Sequence, residues 1–268
     1  MKSISEGQIA AVVLAADRGA DDPVTREAGV ACKALTPVAG VPMLRRVFGA
    51  LDGSARIARI CLAGPSAAII EHDPVLGELL GRDDVSWVEN AATPSASVGA
   101  ALRSLPDDVP VMVTTADHAL LTPTIVTAFV GRALASDGDF VVGVARLETV
   151  TRRFPDTRRT AIRLSDGPYC GCNLFVFTTP QGRALADFWR QVEQQRKRPW
   201  RVIGGALGWG AVLRYLLGRL TLEQALDRLS RRLGIRIRAV VLDHAEAAVD
   251  VDTPADRQLV EAILAGER

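Results

Sequence analysis

The chain has 268 residues, 48% of them hydrophobic, which is enough to bury one large core or two small ones. Lysine and arginine number 32 against 31 aspartate and glutamate, and a net charge of +1 excludes a global field that would favour nucleic acid. The four cysteines (Cys32, Cys61, Cys170, Cys172) form neither a disulfide framework nor a CxxC pair, so they read as reduced thiols of a cytoplasmic protein.

In chain order, the first apolar run is short and stops at Asp17-Arg18 instead of a small-residue cleavage site. It therefore predicts a buried first strand over Gln8–Ala16 rather than a signal peptide, and no stretch approaches the ~20 apolar residues of a membrane span. A polar loop carries Lys33 near its end, then Pro37, Gly40 and Pro42. Met43, Leu44, Val47, Phe48 and Leu51 fall at helical spacing, with Arg45 and Arg46 outward. Arg59–Ala63 and Asp84–Glu89 predict strands, and Ser95–Leu105 a helix between Pro94 and Pro106. Val109–Thr115 is the most apolar run, which predicts a central strand buried on both faces, and it ends in Ala116-Asp117-His118. Thr122 as N-cap and Pro123 at the first helical position start a helix through about Leu134. Asp139–Arg146 predicts a strand, Gly167–Asn173 a glycine-rich turn, and Asn173–Thr178 a strand after it. Helices over Gln181–Arg196 and Thr221–Leu233, a strand over Arg236–Leu242, and a helix over Asp252–Leu264 capped by Asp252 or Thr253 complete the reading.

Strands and helices alternate throughout, which predicts an α/β fold with a doubly wound, mostly parallel sheet. One domain is expected over residues 1–268, with a helical, basic insertion near 195–235. From Arg190 to Arg238 there are 12 basic residues against Glu193, Glu223 and Asp227. They are either solvated arginines on packed helices, or a lid that meets a phosphorylated or lipid-linked acceptor at a membrane surface.

The chemistry gathers where strands end. A short apolar run closed by a charged glycine turn opens a ligand site at the carboxyl end of a first strand. Loop amides and Lys33 would suit a triphosphate there. Asp117 ends the most apolar strand, where a carboxylate is costly unless it lies at the sheet's carboxyl edge, the place for a Mg²⁺ ligand. Asp250 and Asp252 alternate, so in extended chain both face one side and either could add a second carboxylate. His118, directly after Asp117, reads either as a group acting near the α-phosphate or, more often for such a residue, as one that only lines the site.

Four stretches in order, LAADRG at 14–19, KALTPVAGVPML at 33–44, TTADHALLTP at 114–123 and VDVDTPAD at 249–256, resemble the MobA-like nucleotidyltransferase superfamily. The resemblance implies a GT-A-like Rossmann fold and Mg²⁺-dependent transfer of a nucleoside monophosphate from an NTP to a phosphorylated acceptor, with pyrophosphate released. It implies nucleotide contacts from Leu14, Ala15, Ala16, Asp17, Arg18, Gly19 and Lys33, with Ser95, Ser97 and Gly99 near base and sugar. It places catalysis on Lys33 and Asp117, metal on Asp117 and Asp252, and the acceptor near Gly171, Asn173 and Asp250. Asp17 and Asp21 depart from the family, which carries glycine and arginine there. A nucleotide-sugar glycosyltransferase on the same fold and a non-catalytic nucleotide-binding module are the alternatives. The base, the acceptor and the oligomeric state stay open.

Overall fold

The computed structural model describes residues 7–15, 22–155, 157, 159–186, 189 and 214–266. Strand β1 (Ile9–Leu14) is made of β-branched and small apolar residues, and Ile9 through Val13 are completely buried. Such a run suits a strand covered on both faces. Helix α1 (Pro23–Ala28) starts where the Asp22 carboxylate accepts from the Val24 and Thr25 N–H groups, and stops at Gly29 in the left-handed region. A 3-10 turn at Lys33–Leu35 leads into a tight hairpin of β2 (Pro37–Val38) and β3 (Val41–Pro42). Its corner, Ala39-Gly40, has φ of 47° and 74°.

Helix α2 (Met43–Asp52) buries the face expected from its spacing. Strand β4 (Ile57–Ala63), short helices α3 (Ala67–Ile70) and α4 (Pro74–Leu80), strand β5 (Val85–Val88), helix α5 (Pro94–Arg103) and strand β6 (Val111–Thr115) follow. Helix α6 (Pro123–Ala135) is capped by Thr122, whose hydroxyl accepts from Ile125 N–H. Next come β7 (Phe140–Arg146), α7 (Leu147–Arg153), β8 (Ile162–Leu164), β9 (Gly167–Phe177) and α8 (Pro180–Arg183). Past the undescribed stretch lie α9 (Leu222–Leu233), β10 (Ile237–Leu242) and α10 (Pro254–Leu264).

Among the described residues the main sheet has the order β10-β7-β9-β6-β1-β4-β5, with β8 paired to β9. β1 runs parallel to β4 and β6, β4 parallel to β5, and β10 parallel to β7. Only β9 and its partner β8 oppose their neighbours within this sheet. Helices α2, α4, α6 and α10 cover one face and α5 and α9 the other, so the sheet is doubly wound and mostly parallel.

Residues 167–173 are not a turn. They form the first half of β9, with Gly171 opposite Val144 and Cys170 opposite Ala145. Cys170, Cys172, Leu174 and Val176 all point into one core, a period of two that the interspersed glycines mask in the sequence. The register shifts between Val142 and Val144, near Asn173, which has φ of 49°. That bulge re-aims Asn173.

Thr253, not Asp252, caps α10: its hydroxyl accepts from Asp256 N–H while the Asp256 carboxylate accepts from Thr253 N–H. Most of the helix expected over Gln181–Arg196, and Trp200 and Trp209 with the arginines around them, lie outside the described residues. Of the basic stretch, Arg236 is paired with Asp139, and Arg238 with Asp137 and Asp227. Among the described residues no helix is long and apolar enough to cross a membrane.

Candidate active site

Three backbone contacts at the carboxyl edge of the sheet bring distant segments together. Ala116 N–H donates to Leu14 O at 2.9 Å, which aligns the ends of β1 and β6. Val251 N–H donates to Asp117 O at 3.1 Å, which ties the segment before α10 to the end of β6. Met43 N–H donates to Thr36 O at 3.0 Å, which closes the β2–β3 hairpin under the turn that carries Lys33.

Lys33 is the centre of the cluster. Its Nζ donates to Asp117 Oδ2 at 2.7 Å and to Asp252 Oδ1 at 2.8 Å. Its side chain is 9% exposed, against 17% for Asp117 and 48% for Asp252. Burial works against its charge, but Asp117 first and then Asp252 overcome it and hold the pKa above the ordinary lysine value. The ammonium is therefore charged at neutral pH. Asp117 Oδ1 is buried and makes no hydrogen bond. A buried carboxylate oxygen without a partner is costly unless something positive reaches it.

Beside this cluster stands a second one. Asp250 Oδ2 accepts from Asn173 Nδ2 at 3.0 Å, and its Oδ1 forms a close ion pair with Arg159 Nη1. Burial raises the Asp250 pKa, with Asp252 and Asp117 adding to the rise and Arg159 opposing it. Arg159 has no motif around it. A counter-ion buried by the fold leaves no periodic or spacing signal, which is why the sequence does not reveal it.

Lys33, Asp117, Asp252, Asp250 and Asn173 thus meet in one place, and Gly171 lines a narrow crevice with His118, Asn173 and Asp250. Leu14 and Ala15 sit at the end of β1, where Ala15 N–H donates to Ala63 O at 2.9 Å. Gly64 has φ of 85°, and a Cβ on it would stand 3.0 Å from Ala15 O, so only glycine fits beside that loop. Ala16, Asp17, Arg18, Gly19 and Asp21 lie outside the described residues. Ser95 and Ser97 are buried at the start of α5. Ser97 Oγ accepts from Ala91 N–H at 2.9 Å and Ser95 Oγ bonds Thr93 Oγ1 at 3.1 Å, so both brace the loop before the helix; Gly99 lies within α5.

His118 is 1% exposed, and neither ring nitrogen makes a hydrogen bond. Burial pushes its pKa down to about 4, with the Arg159 charge adding to the fall and Asp117 opposing it. A histidine whose folded pKa is depressed stabilises the fold above its ordinary value, and that stability is lost as pH falls toward the folded value. Stability should therefore drop by about 3 kcal/mol between pH 6.5 and 4 on account of His118. Urea denaturation of wild type and His118→Leu across this range checks it: the variant should lack that part of the slope.

Comparison with known proteins gives this geometry a context. The MobA-like NTP transferase domain matches residues 11–236. The chain is 32% identical over 151 residues to a bifunctional enzyme IspD/IspF of Clavibacter michiganensis, covering 55% of this chain and 36% of the relative. It is 31% identical over 180 residues to a 2-C-methyl-D-erythritol 4-phosphate cytidylyltransferase of Frankia casuarinae, covering 67% of this chain and 62% of the relative. The chain thus spans less than two thirds of the length of either relative. A hypothetical transferase from Thermus thermophilus superposes with a TM-score of 0.76 at 30% identity, over 93% of this chain and 99% of that one.

Proposed function

The chain belongs to the MobA-like NTP transferase family, and from that premise we propose that it transfers a cytidylyl group from CTP to a phosphorylated acceptor and releases pyrophosphate. The family supports nucleotidyl transfer, and the name of the Frankia relative supports the base and the kind of acceptor. The observation that carries the reading is the Lys33 ammonium held between Asp117 and Asp252 at the carboxyl edge of the sheet.

Asp117 and Asp252 are also the groups that would hold Mg²⁺. Both reach one ammonium, and Asp117 keeps a buried oxygen without a hydrogen bond. Magnesium takes one or two carboxylates and completes its shell with phosphate oxygens and water, so this donor set fits. When bound, the ion would neutralise charge that grows on the phosphates during transfer.

The remaining work belongs to the chain. Lys33 carries its positive charge on a turn pinned by the β2–β3 hairpin, so a cation that takes over Asp117 and Asp252 would release the ammonium to triphosphate oxygens beside them. Asn173 and Gly171 line the crevice beside Asp250, on which an acceptor phosphate would approach the α-phosphorus. Positioning and charge neutralisation supply the rate, with no covalent enzyme intermediate.

The test is a pyrophosphate-release screen of the four NTPs against phosphorylated polyols and sugars, with Mg²⁺ and with EDTA. CTP should give turnover that EDTA abolishes. Release of a nucleoside diphosphate from a nucleotide-sugar, with no pyrophosphate from any NTP, would replace this reading with a glycosyltransferase.

A further inference from the structure

Arg159 lies between α7 and β8, far along the chain from Lys33, and its side chain is 9% exposed. Every nitrogen of its guanidinium is engaged. Nε donates to Thr157 Oγ1 at 3.1 Å, and Nη1 pairs with Asp250 Oδ1. Nη2 donates to Asp250 O at 3.3 Å and to Asp256 Oδ1 at 3.2 Å. The other oxygen of Asp256 accepts from Asp252 N–H at 3.3 Å, Thr253 N–H at 2.9 Å and Thr253 Oγ1 at 2.7 Å. One guanidinium therefore grips both ends of the segment 250–256 on which Asp252 is displayed.

Asp252 needs such a grip. Its side chain is 48% exposed, so packing does little to fix it. Lys33 holds one of its oxygens, and the rest of its aim follows from its backbone, which is anchored by Val251 N–H on Asp117 O and by the carboxylate that Arg159 holds. We propose that Arg159 is a positioning residue for the transfer reaction: through Asp250 and Asp256 it sets the place of the Asp252 carboxylate opposite Asp117. The inference rests on the proposed nucleotidyl transfer and names a residue that this reaction depends on. Arginine suits the task because its planar fork spans two carboxylates and a carbonyl at once, which a lysine cannot.

The experiment compares wild type with Arg159→Gln, Arg159→Lys and Arg159→Ala. Mn²⁺ affinity of the enzyme without nucleotide is read by electron paramagnetic resonance, together with kcat, KM for CTP and melting temperature. Groups that orient metal ligands are worth about 10–100-fold in affinity or activity. Mn²⁺ binding and kcat should each fall by about that factor in Arg159→Gln, with KM for CTP changed by less than about threefold. Millimolar methylguanidine should restore part of both in Arg159→Ala, an effect that loss of packing alone does not produce. If Arg159→Gln does not fold, Arg159→Lys, which keeps the positive charge beside Asp250, is read in its place. Folded variants that match wild type in Mn²⁺ affinity and kcat overturn the role of Arg159. A wild-type chain that releases no pyrophosphate overturns the reaction instead.

Discussion

Asp117→Ala should abolish pyrophosphate release, with kcat lower by on the order of 10³-fold or more, and still give a folded protein. The two halves of this expectation come from the two oxygens of one carboxylate. Oδ2 accepts a single hydrogen bond, from Lys33, and Oδ1 accepts none. The fold therefore loses one charge-assisted contact, worth about 1.5–3 kcal/mol. Lys33 keeps its second partner, Asp252, at 2.8 Å. Strand β6 itself is held by its parallel ladder to β1 and its antiparallel ladder to β9, neither of which uses the Asp117 side chain. The chemistry has no such reserve. The buried oxygen without a hydrogen bond is a donor that the fold does not occupy, and with it goes the geometry that places a cation opposite Asp252. A pyrophosphate assay beside a thermal melt decides the matter. Turnover within about tenfold of wild type in a folded variant would remove Asp117 from the machinery.

How much of this could be read from the sequence depends on how local each cause is. Val111–Thr115 announces itself as a doubly buried strand because nothing polar interrupts it, and Asp117 then has to lie at its exposed end. Thr122-Pro123 starts a helix through contacts within four residues. The hydrophobic spacing of Met43–Leu51 is equally local. By contrast, β9 is a strand because β6 and β7 flank it, and no residue within 167–173 announces those neighbours. Its glycines signal a turn locally, and the pairing overrides that signal. Helices α1 and α4 are short, and only Asp-Pro at 22–23 and 73–74 hints at their caps. The choice between Asp252 and Thr253 as cap turns on the Asp256 carboxylate, three residues on, and the T-x-x-D spacing was there to be read. Arg159 is the opposite case. Its partners, Asp250 and Asp256, are 91 and 97 residues away, so only the folded chain can show them.

Lys33→Met should produce an enzyme that is nearly inactive, less stable without metal, and more responsive to metal than wild type. Methionine keeps the length of the side chain and removes its charge. Two carboxylates that shared one ammonium then face each other without it. Breaking a buried ion pair costs about 3–5 kcal/mol; with Asp252 48% exposed, solvent screens part of that, and about 2–3 kcal/mol is expected. The sign with pH follows from the raised lysine pKa. A raised folded value means that the contribution is complete below the ordinary lysine range and fades only as pH rises through the higher folded value. The deficit of the variant should therefore be constant from about pH 6 to 9. Loss of the ammonium from the triphosphate site should lower kcat by about 10²–10³-fold. The response to metal is the sharper result. In wild type, a divalent cation approaching Asp117 and Asp252 competes with the Lys33 ammonium for the same oxygens. In Lys33→Met that competitor is gone, and the repulsion between the carboxylates becomes a driving force for cation binding. Binding to the native state stabilises it by RT ln(1 + [L]/Kd), so millimolar Mg²⁺ should raise the melting temperature of the variant by more than that of wild type. Melting curves of both proteins with Mg²⁺ and with EDTA test this. An equal shift in the two would mean that Lys33 and the metal do not share these carboxylates, and that the ammonium at 2.7 and 2.8 Å neutralises a pair the cation never visits.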